Sequence, residues 1–136
     1  METTIQQISH SLLQVLFSGF WCILFLQSGL DKLMDWSGNM KWLKGHFSKS
    51  ILSNIVPLLL TILTFTEIAS GIFSLAGIFY FLGYESLILC RIGTILASLS
   101  LLFLFIGQRL AKDYPGAASL APYFLAAMFN LWLLNQ

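Results

Sequence analysis

The sequence predicts an all-α membrane protein, a four-transmembrane-helix bundle with an amphipathic interfacial helix in its first connection. Of the 136 residues, 57% are hydrophobic and only 10% are charged, whereas roughly a quarter of the residues in soluble domains are charged. The apolar residues also come in runs of about twenty, the length that crosses a ~30 Å hydrocarbon layer as a helix. We therefore expect a single membrane-embedded domain over residues 1–136.

The four apolar runs predict transmembrane helices at about residues 9–30, 52–81, 87–106 and 117–134. The first ends where charge returns at Asp31, since charge in lipid is costly. Pro57 stands near the start of the second, where a missing amide is best tolerated. The turn around Glu85 makes the second and third helices an antiparallel hairpin. Pro122 falls early in the fourth and is expected to bend it.

A further helix is predicted within the first connection, at about residues 36–48. Four apolar residues recur there at helical spacing and share one face: Trp36, Met40, Leu43 and Phe47. Lys41 and Lys44 lie on its polar side, a pattern typical of helices at a membrane surface. We interpret it as an interfacial helix anchored by Trp and Lys, with docking of a partner protein as the alternative.

The distribution of basic residues predicts the orientation in the membrane. Only Arg91 lies near the side of the chain ends, while six basic residues fall in the first and third connections: Lys32, Lys41, Lys44, Lys49, Arg109 and Lys112. Short loops rich in Lys and Arg stay in the cytoplasm. We expect a multi-pass protein of the cell inner (cytoplasmic) membrane with both termini exterior. The first run has the features of a retained helix and not of a signal peptide.

The composition disfavours several classes of site. A net charge of +1 gives no electrostatic basis for binding nucleic acid. Cys22 and Cys90 are too few for a disulfide scaffold or a thiolate metal site, and their expected depths differ by roughly 15 Å. His10 and His46 are expected on opposite sides of the membrane, so no metal or haem site is predicted.

Glu67 is the most informative residue, because it lies near the middle of the second helix, where an ionisable group is expensive and marks a functional site by default. It is expected to face the bundle interior. Counting from the helix ends places five polar residues within about two turns of its depth, namely Ser18, Cys22, Thr64, Thr94 and Ser98. We predict a polar layer that serves as a ligand or proton site. The alternative is a structural carboxyl group whose interhelical hydrogen bonds contribute ~0.6 kcal/mol, up to about 2.

A second polar cluster is predicted toward the exterior, formed by His10, Gln14, Arg91 and Asn130. Arg91 stands about one turn inside the third helix, and the alternative is that its long side chain reaches the interface on its own. A direct pair with Glu67 is not expected, since the two differ in depth by ~12 Å at the helical rise.

The first helix closes in Gly29-Leu30-Asp31-Lys32-Leu33, and the second contains Glu67-Ile68-Ala69-Ser70-Gly71. In order and spacing these segments resemble the DoxX family of small four-helix membrane proteins, whose pattern is Gly-x-x-Lys-Leu followed by Glu-x-x-x-Gly. The resemblance covers about residues 12–105 and is carried by Gly29, Lys32, Glu67, Gly71, Gly77 and Arg91. An Arg that members often carry at the entry to the first helix is absent here, where His10 and Gln14 stand.

The resemblance implies a role in a membrane complex. Some members are subunits of a membrane thiosulfate:quinone oxidoreductase, others join membrane-associated oxidative-stress complexes, and distant relatives assist the assembly of membrane proteins. We expect a non-catalytic accessory subunit of a quinone-linked or oxidative-stress redox complex, with a quinone as candidate ligand and no covalently bound cofactor. The alternative is an assembly factor or scaffold without redox chemistry. The expected partners are the lipid bilayer, a redox-complex or other membrane protein, and a second copy of the chain.

Overall fold

The computed structural model describes residues 1–136 and is helical, without strands. Its helices are α1 (Glu2–Met34), α2 (Trp36–His46), α3 (Val56–Tyr84), α4 (Ile88–Leu110), α5 (Tyr114–Ser119) and α6 (Ala121–Leu134). Four segments are long and apolar enough to cross a membrane: α1, α3 with the short 3-10 turn before it, α4, and α5 together with α6. The predicted all-helical architecture, with four segments long and apolar enough to cross a membrane, is confirmed.

Helix α1 extends further than the apolar run that predicted it. It was predicted to end near residue 30 but continues to Met34, and a single residue, Asp35, separates it from α2. The Asp35 carboxylate accepts a hydrogen bond from the backbone N–H of Gly38 at 3.2 Å, which satisfies a free amide at the start of α2. Hydropathy locates the segment in contact with lipid, whereas a helix continues until its backbone hydrogen bonding is interrupted.

The fourth membrane segment is divided between α5 and α6 at Leu120, two residues before Pro122. Proline has no N–H to donate to the carbonyl four residues earlier. The Leu120 N–H bonds to the carbonyl of Ala117, three residues earlier, at 3.1 Å and not to a carbonyl four residues earlier, so the turn before the proline is tighter than an α-helical turn. An interruption near Pro122 is thus present, and it falls just before the proline.

Close packing at glycines sets the register of α1, α3 and α4. Gly29 of α1 lies against Ile68 of α3, and Gly93 of α4 lies against Ser74. The Ser70 hydroxyl also donates to the carbonyl of Gly93 at 2.9 Å. Because helices approach most closely where side chains are smallest, α3 packs against both α1 and α4 as their common neighbour.

Aromatic and small side chains fill the core between α1, α4 and α6. Its buried members are Trp21, Phe25, Ala97, Leu101 and Ala127. Because the bundle has four long segments that run alternately up and down, both chain ends and the α3–α4 connection lie at one end of it, which we call the terminal side. The opposite end, with α2 and the α4–α5 connection, is the connection side.

Helix α2 packs on the connection side against the beginning of α3. None of its residues is fully buried, although Phe47, which directly follows it, is 8% exposed. Trp36, Met40 and Leu43 of the predicted apolar face are partly covered by the protein, while Trp42 remains 61% exposed. The helix therefore covers the bundle with the face that the sequence marked as apolar.

Candidate functional site

Glu67 of α3 is buried, with 1% of its side chain exposed, and forms an ion pair with Lys32 of α1. The Lys32 Nζ donates to Glu67 Oε2 at 3.0 Å and to the hydroxyl of Ser28 at 2.8 Å. A buried charge without a partner is severely destabilising. The pair therefore allows two ionised groups to lie within an apolar bundle, and it joins α1 to α3.

The burial pattern of α1 explains why Lys32 faces inward. The buried positions of this helix are spaced three and four apart along one face, at Gln14, Ser18, Trp21, Phe25 and Gly29. Lys32 falls at the next position of that series. Because Gly29 lets α1 approach Ile68 without an intervening side chain, the lysine reaches the neighbouring carboxylate.

The pairing of Lys32 with Glu67 was not predicted from the sequence. Lys32 was expected in the first connection, because the apolar run ends before it. The signal that would have found it is the buried stripe of α1, since Lys32 continues that stripe one turn past the last apolar residue. Lys32 had been named only as one of the basic residues of the first connection and through the family resemblance.

The five residues predicted to share a polar layer with Glu67 make no hydrogen bond to it. Thr64 donates to the carbonyl of Leu60 on its own helix, and Ser98 does the same to Thr94. Ser18 is buried and Cys22 is partly buried, but Gly29 and not Ser18 is level with Ile68. Eleven residues separate Ser18 from Gly29, or ~16 Å along a helix. The counted depths were displaced because α1 extends beyond its apolar run at both ends, from Glu2 to Met34, so the run does not give the register of α1 against α3.

Asn130 of α6 is the centre of a separate buried network. Its Oδ1 accepts from the Trp21 indole N–H at 2.9 Å, and its Nδ2 donates to Gln14 Oε1 at 2.7 Å. The Thr94 hydroxyl lies 2.8 Å from Asn130 Oδ1 and 2.8 Å from the carbonyl of Cys90, so its single proton serves one of them at a time. The network joins α1, α4 and α6.

His10 and Arg91 belong to a different group from Gln14 and Asn130. The His10 Nε2 lies 2.9 Å from the carbonyl of Leu133, while Arg91 donates to the carbonyl of Leu134 at 2.8 Å and to Asn135 Oδ1 at 2.6 Å. Both carbonyls belong to the last turn of α6, where regular helical donors are missing, although the Leu133 carbonyl also accepts from the Gln136 N–H at 3.1 Å. The predicted exterior cluster is thus two groups, one that caps α6 and one inside the bundle.

An apolar cavity of about 400 Å³ adjoins the Lys32–Glu67 pair on the connection side. Thirteen of its seventeen lining residues are hydrophobic, and they come from α2, α3, α4 and the segment that joins α2 to α3. Lys32 is the one charged residue in its wall, and Asn39 and Gln108 add amide groups. Helix α2 covers the cavity through Trp42 and Leu43.

The cavity is partly open, and three of its exposed lining residues lie on α3 and α4. Ile62 of α3 is 43% exposed, and Phe103 and Ile106 of α4 are 46% and 44% exposed, while all three line the cavity. Val56 and Leu60 form its inner wall and are almost completely buried. The opening is therefore rimmed by apolar side chains.

A second polar contact secures the end of α2. The His46 Nε2 lies 2.7 Å from Gln108 Oε1 of α4 and 3.7 Å from Asp113 Oδ2, and the Trp42 ring stacks on the imidazole at a centroid distance of 4.6 Å. Nothing in the spacing of the sequence had indicated this contact, because it joins segments far apart in the chain. It holds α2 over the cavity.

The chemistry available at the cavity is that of a hydrogen-bond donor in apolar surroundings. Lys32 supplies protons that can be donated to a carbonyl or hydroxyl group, and Glu67 balances its charge. The structure contains no group of three or more His, Cys, Asp or Glu side chains arranged to hold a metal ion. Both cysteines are free.

No protein-family model, curated protein or solved structure matches the chain.

Proposed function

We propose that this protein is an accessory subunit of a quinone-linked or oxidative-stress redox complex in the inner membrane, and that its cavity receives a quinone headgroup. The observation that carries the proposal is the buried Lys32–Glu67 pair at the wall of an apolar cavity. Ionisable groups within membrane-spanning segments are expensive and usually functional. The resemblance of Gly29, Lys32, Glu67 and Gly71 to the DoxX pattern supports the same role.

The shape of the cavity suits a ligand that arrives from the lipid. Ligand pockets are mostly apolar, have volumes of ~300–1,000 Å³ and carry a few polar groups that orient the ligand. This cavity is about 400 Å³, with Lys32, Asn39 and Gln108 as its orienting groups. A quinone carbonyl accepts from Lys32, and its apolar tail leaves through the opening between α3 and α4.

In this proposal the connection side faces the cytoplasm and α2 lies at the membrane surface. Lys41, Lys44 and Trp42 are exposed on α2, where basic and aromatic residues anchor a helix in the headgroup region. A redox partner would then meet the protein from the membrane or from its cytoplasmic face.

The first test is purification in mild detergent with native lipids, followed by mass spectrometry of the lipid extract and of co-eluting proteins. We expect a bound quinone and a redox partner. Glu67→Gln should lower recovered quinone and quinone-linked turnover at least about tenfold, or ~1.4 kcal/mol. The matched control is Glu85→Gln, which removes an exposed carboxylate at the end of the same helix. Absence of quinone and partner, with activity unchanged in Glu67→Gln, would refute the proposal.

The rival function is a membrane-protein assembly factor or scaffold with no redox chemistry of its own. It is favoured by the fact that Lys32 and Glu67 join two helices, as a purely structural pair does. The double variant Lys32→Met/Glu67→Met separates the two functions, because a buried ion pair can often be replaced by apolar residues without loss of stability. A folded double variant that retains its partners but loses quinone supports the redox role, and one that loses nothing supports the scaffold.

A further inference from the structure

We propose that the cavity beneath α2 selects uncharged single-chain amphiphiles with a carbonyl or hydroxyl head, and discriminates against anionic ones of the same chain. The inference rests on the part of the proposed function that gives this cavity a ligand, but it does not require the ligand to be redox-active. It follows from three features: the charge of the wall, its free hydrogen-bonding groups and its apolar interior.

The charge of the cavity wall is already balanced. Lys32 is the one charged lining residue, and its ammonium group is 3.0 Å from the Glu67 carboxylate, which lies behind it and is 1% exposed. An anionic head that enters would meet a pair whose net charge is zero. The anionic head would lose its hydrating water and would find no unpaired cation in the wall. Burying a charge without a partner is strongly unfavourable.

A neutral polar head finds hydrogen-bonding groups in the same wall. The Lys32 ammonium has three protons, of which Glu67 and the Ser28 hydroxyl take two at 3.0 and 2.8 Å. Its remaining contact, with the Ser28 carbonyl, is long at 3.4 Å. The Gln108 amide nitrogen and the Asn39 amide oxygen make no hydrogen bond within the protein. A carbonyl or hydroxyl group beside Lys32 can therefore accept its third proton without any change in the charge of the wall.

The remainder of the wall fits one hydrocarbon chain. Thirteen of the seventeen residues that line the cavity are apolar, and its volume of about 400 Å³ is near the lower end of the ~300–1,000 Å³ range of ligand pockets. The opening beside Ile62 and Phe103 lets the end of a longer chain continue outside the bundle. The volume therefore accommodates a head with part of one chain.

The experiment compares monoolein with oleate, which share an acyl chain and differ in the charge of the head. The purified full-length protein in mild detergent, at an alkaline pH where oleate is ionised, is titrated with each and followed by native mass spectrometry. We expect monoolein to bind at least about tenfold more tightly than oleate, or ~1.4 kcal/mol. Leu63→Trp, which fills the cavity, should weaken both probes.

The decisive variant is Glu67→Gln, which leaves the Lys32 charge without its partner. The preference should then reverse in favour of oleate, while Glu85→Gln should keep the preference of the parent protein. If Glu67→Gln does not fold, Lys32→Met/Glu67→Met tests the same point, because a wall without charges must still favour monoolein.

Tighter binding of oleate by the parent protein or by the double variant overturns the inference, and so does an unchanged preference in a folded Glu67→Gln. If Leu63→Trp weakens the binding of neither probe, the lipids bind outside the cavity, and this result also overturns the inference. A failure of the redox proposal alone has a different signature, since neutral lipid selectivity would persist without bound quinone or a redox partner.

Discussion

At the scale of single residues, Asn130 combines more interhelical contacts than any charged group in the bundle. Its amide accepts from Trp21, donates to Gln14 and lies within hydrogen-bonding distance of Thr94. Asn130, Trp21 and Gln14 are each 1% exposed or less. A primary amide suits this position because it offers both an acceptor and donors. An apolar residue of similar size would leave the indole N–H and the glutamine without partners.

We expect Asn130→Leu to lower the free energy of unfolding by about 1–3 kcal/mol, since membrane hydrogen bonds contribute ~0.6 kcal/mol each and unpaired buried groups add a penalty. The measurement is reversible unfolding in mixed micelles with increasing denaturing detergent. Met128→Leu, a partly exposed substitution on the same helix, should change stability by less than ~0.5 kcal/mol. Equal stability of the two variants would show that the network is dispensable.

The residue scale also shows what the sequence predicts well and what it does not. The burial of Glu67 could be predicted from its position inside a long apolar run, because a carboxylate facing lipid is energetically costly. Its partner did not follow, because the same argument treated Lys32 as the end of the membrane segment. The depth of a residue in the bundle, when it is counted from the ends of the apolar runs, is wrong by several residues. An error of this size is enough to assign the residue the wrong neighbour on the facing helix. Facing contacts depend on helix register, and that is set by packing between helices.

At the scale of elements, the α3–α4 hairpin is held together by contacts at glycine. A Cβ added at Gly77 would stand 2.7 Å from the backbone nitrogen and 2.8 Å from the sulfur of Cys90, whereas one added at Gly19 of α1 would meet nothing within 4 Å. Both glycines lie within helices, so the same substitution at each separates the cost of interhelical crowding from the intrinsic helix preference. Alanine favours a helix over glycine by roughly 0.5–1 kcal/mol.

Gly77→Ala should therefore destabilise the protein by about 1–3 kcal/mol, because the backbone of α4 has to move away. Gly19→Ala should be neutral or stabilising by up to ~1 kcal/mol. Thermal unfolding of the two purified variants, followed by circular dichroism, measures both effects in parallel. If Gly77→Ala proves as stable as Gly19→Ala, α3 and α4 are not packed as closely as the structure has them.

Element boundaries could be predicted where a strong breaker coincided with the end of an apolar run. The α3–α4 connection near Glu85 and the interruption before Pro122 are of this kind. The junction of α1 and α2 was not, since it consists of Asp35 alone and carries neither glycine nor proline. The cavity was also beyond sequence reasoning, because it arises from how α2 lies across α3 and α4, and the contact of His46 with Gln108 joins residues 62 positions apart.

At the scale of the whole molecule, charge is distributed unequally between the two ends of the bundle. Lys32 lies inside it, paired with Glu67, so five basic residues remain at the connection side outside any ion pair with a carboxylate: Lys41, Lys44, Lys49, Arg109 and Lys112. The terminal side has Arg91, which is engaged with the end of α6. Membrane proteins are oriented by an excess of basic residues near the ends of the spans on one side. In this protein the excess lies at the connection side.

We therefore expect the connection side to face the cytoplasm and both chain ends to face the exterior. The test is cysteine labelling with a membrane-impermeant maleimide in a Cys22→Ala/Cys90→Ala background, using new cysteines that leave the basic residues intact. Glu2→Cys and Tyr84→Cys, both exposed on the terminal side, should react in intact cells. Ser37→Cys and Ser48→Cys, both exposed on the connection side, should react only after the membrane is permeabilised. Labelling of Ser48→Cys in intact cells would reverse the orientation, and labelling of Glu2→Cys and Ser48→Cys from the same side would contradict the four crossings themselves, because α1 separates the two positions.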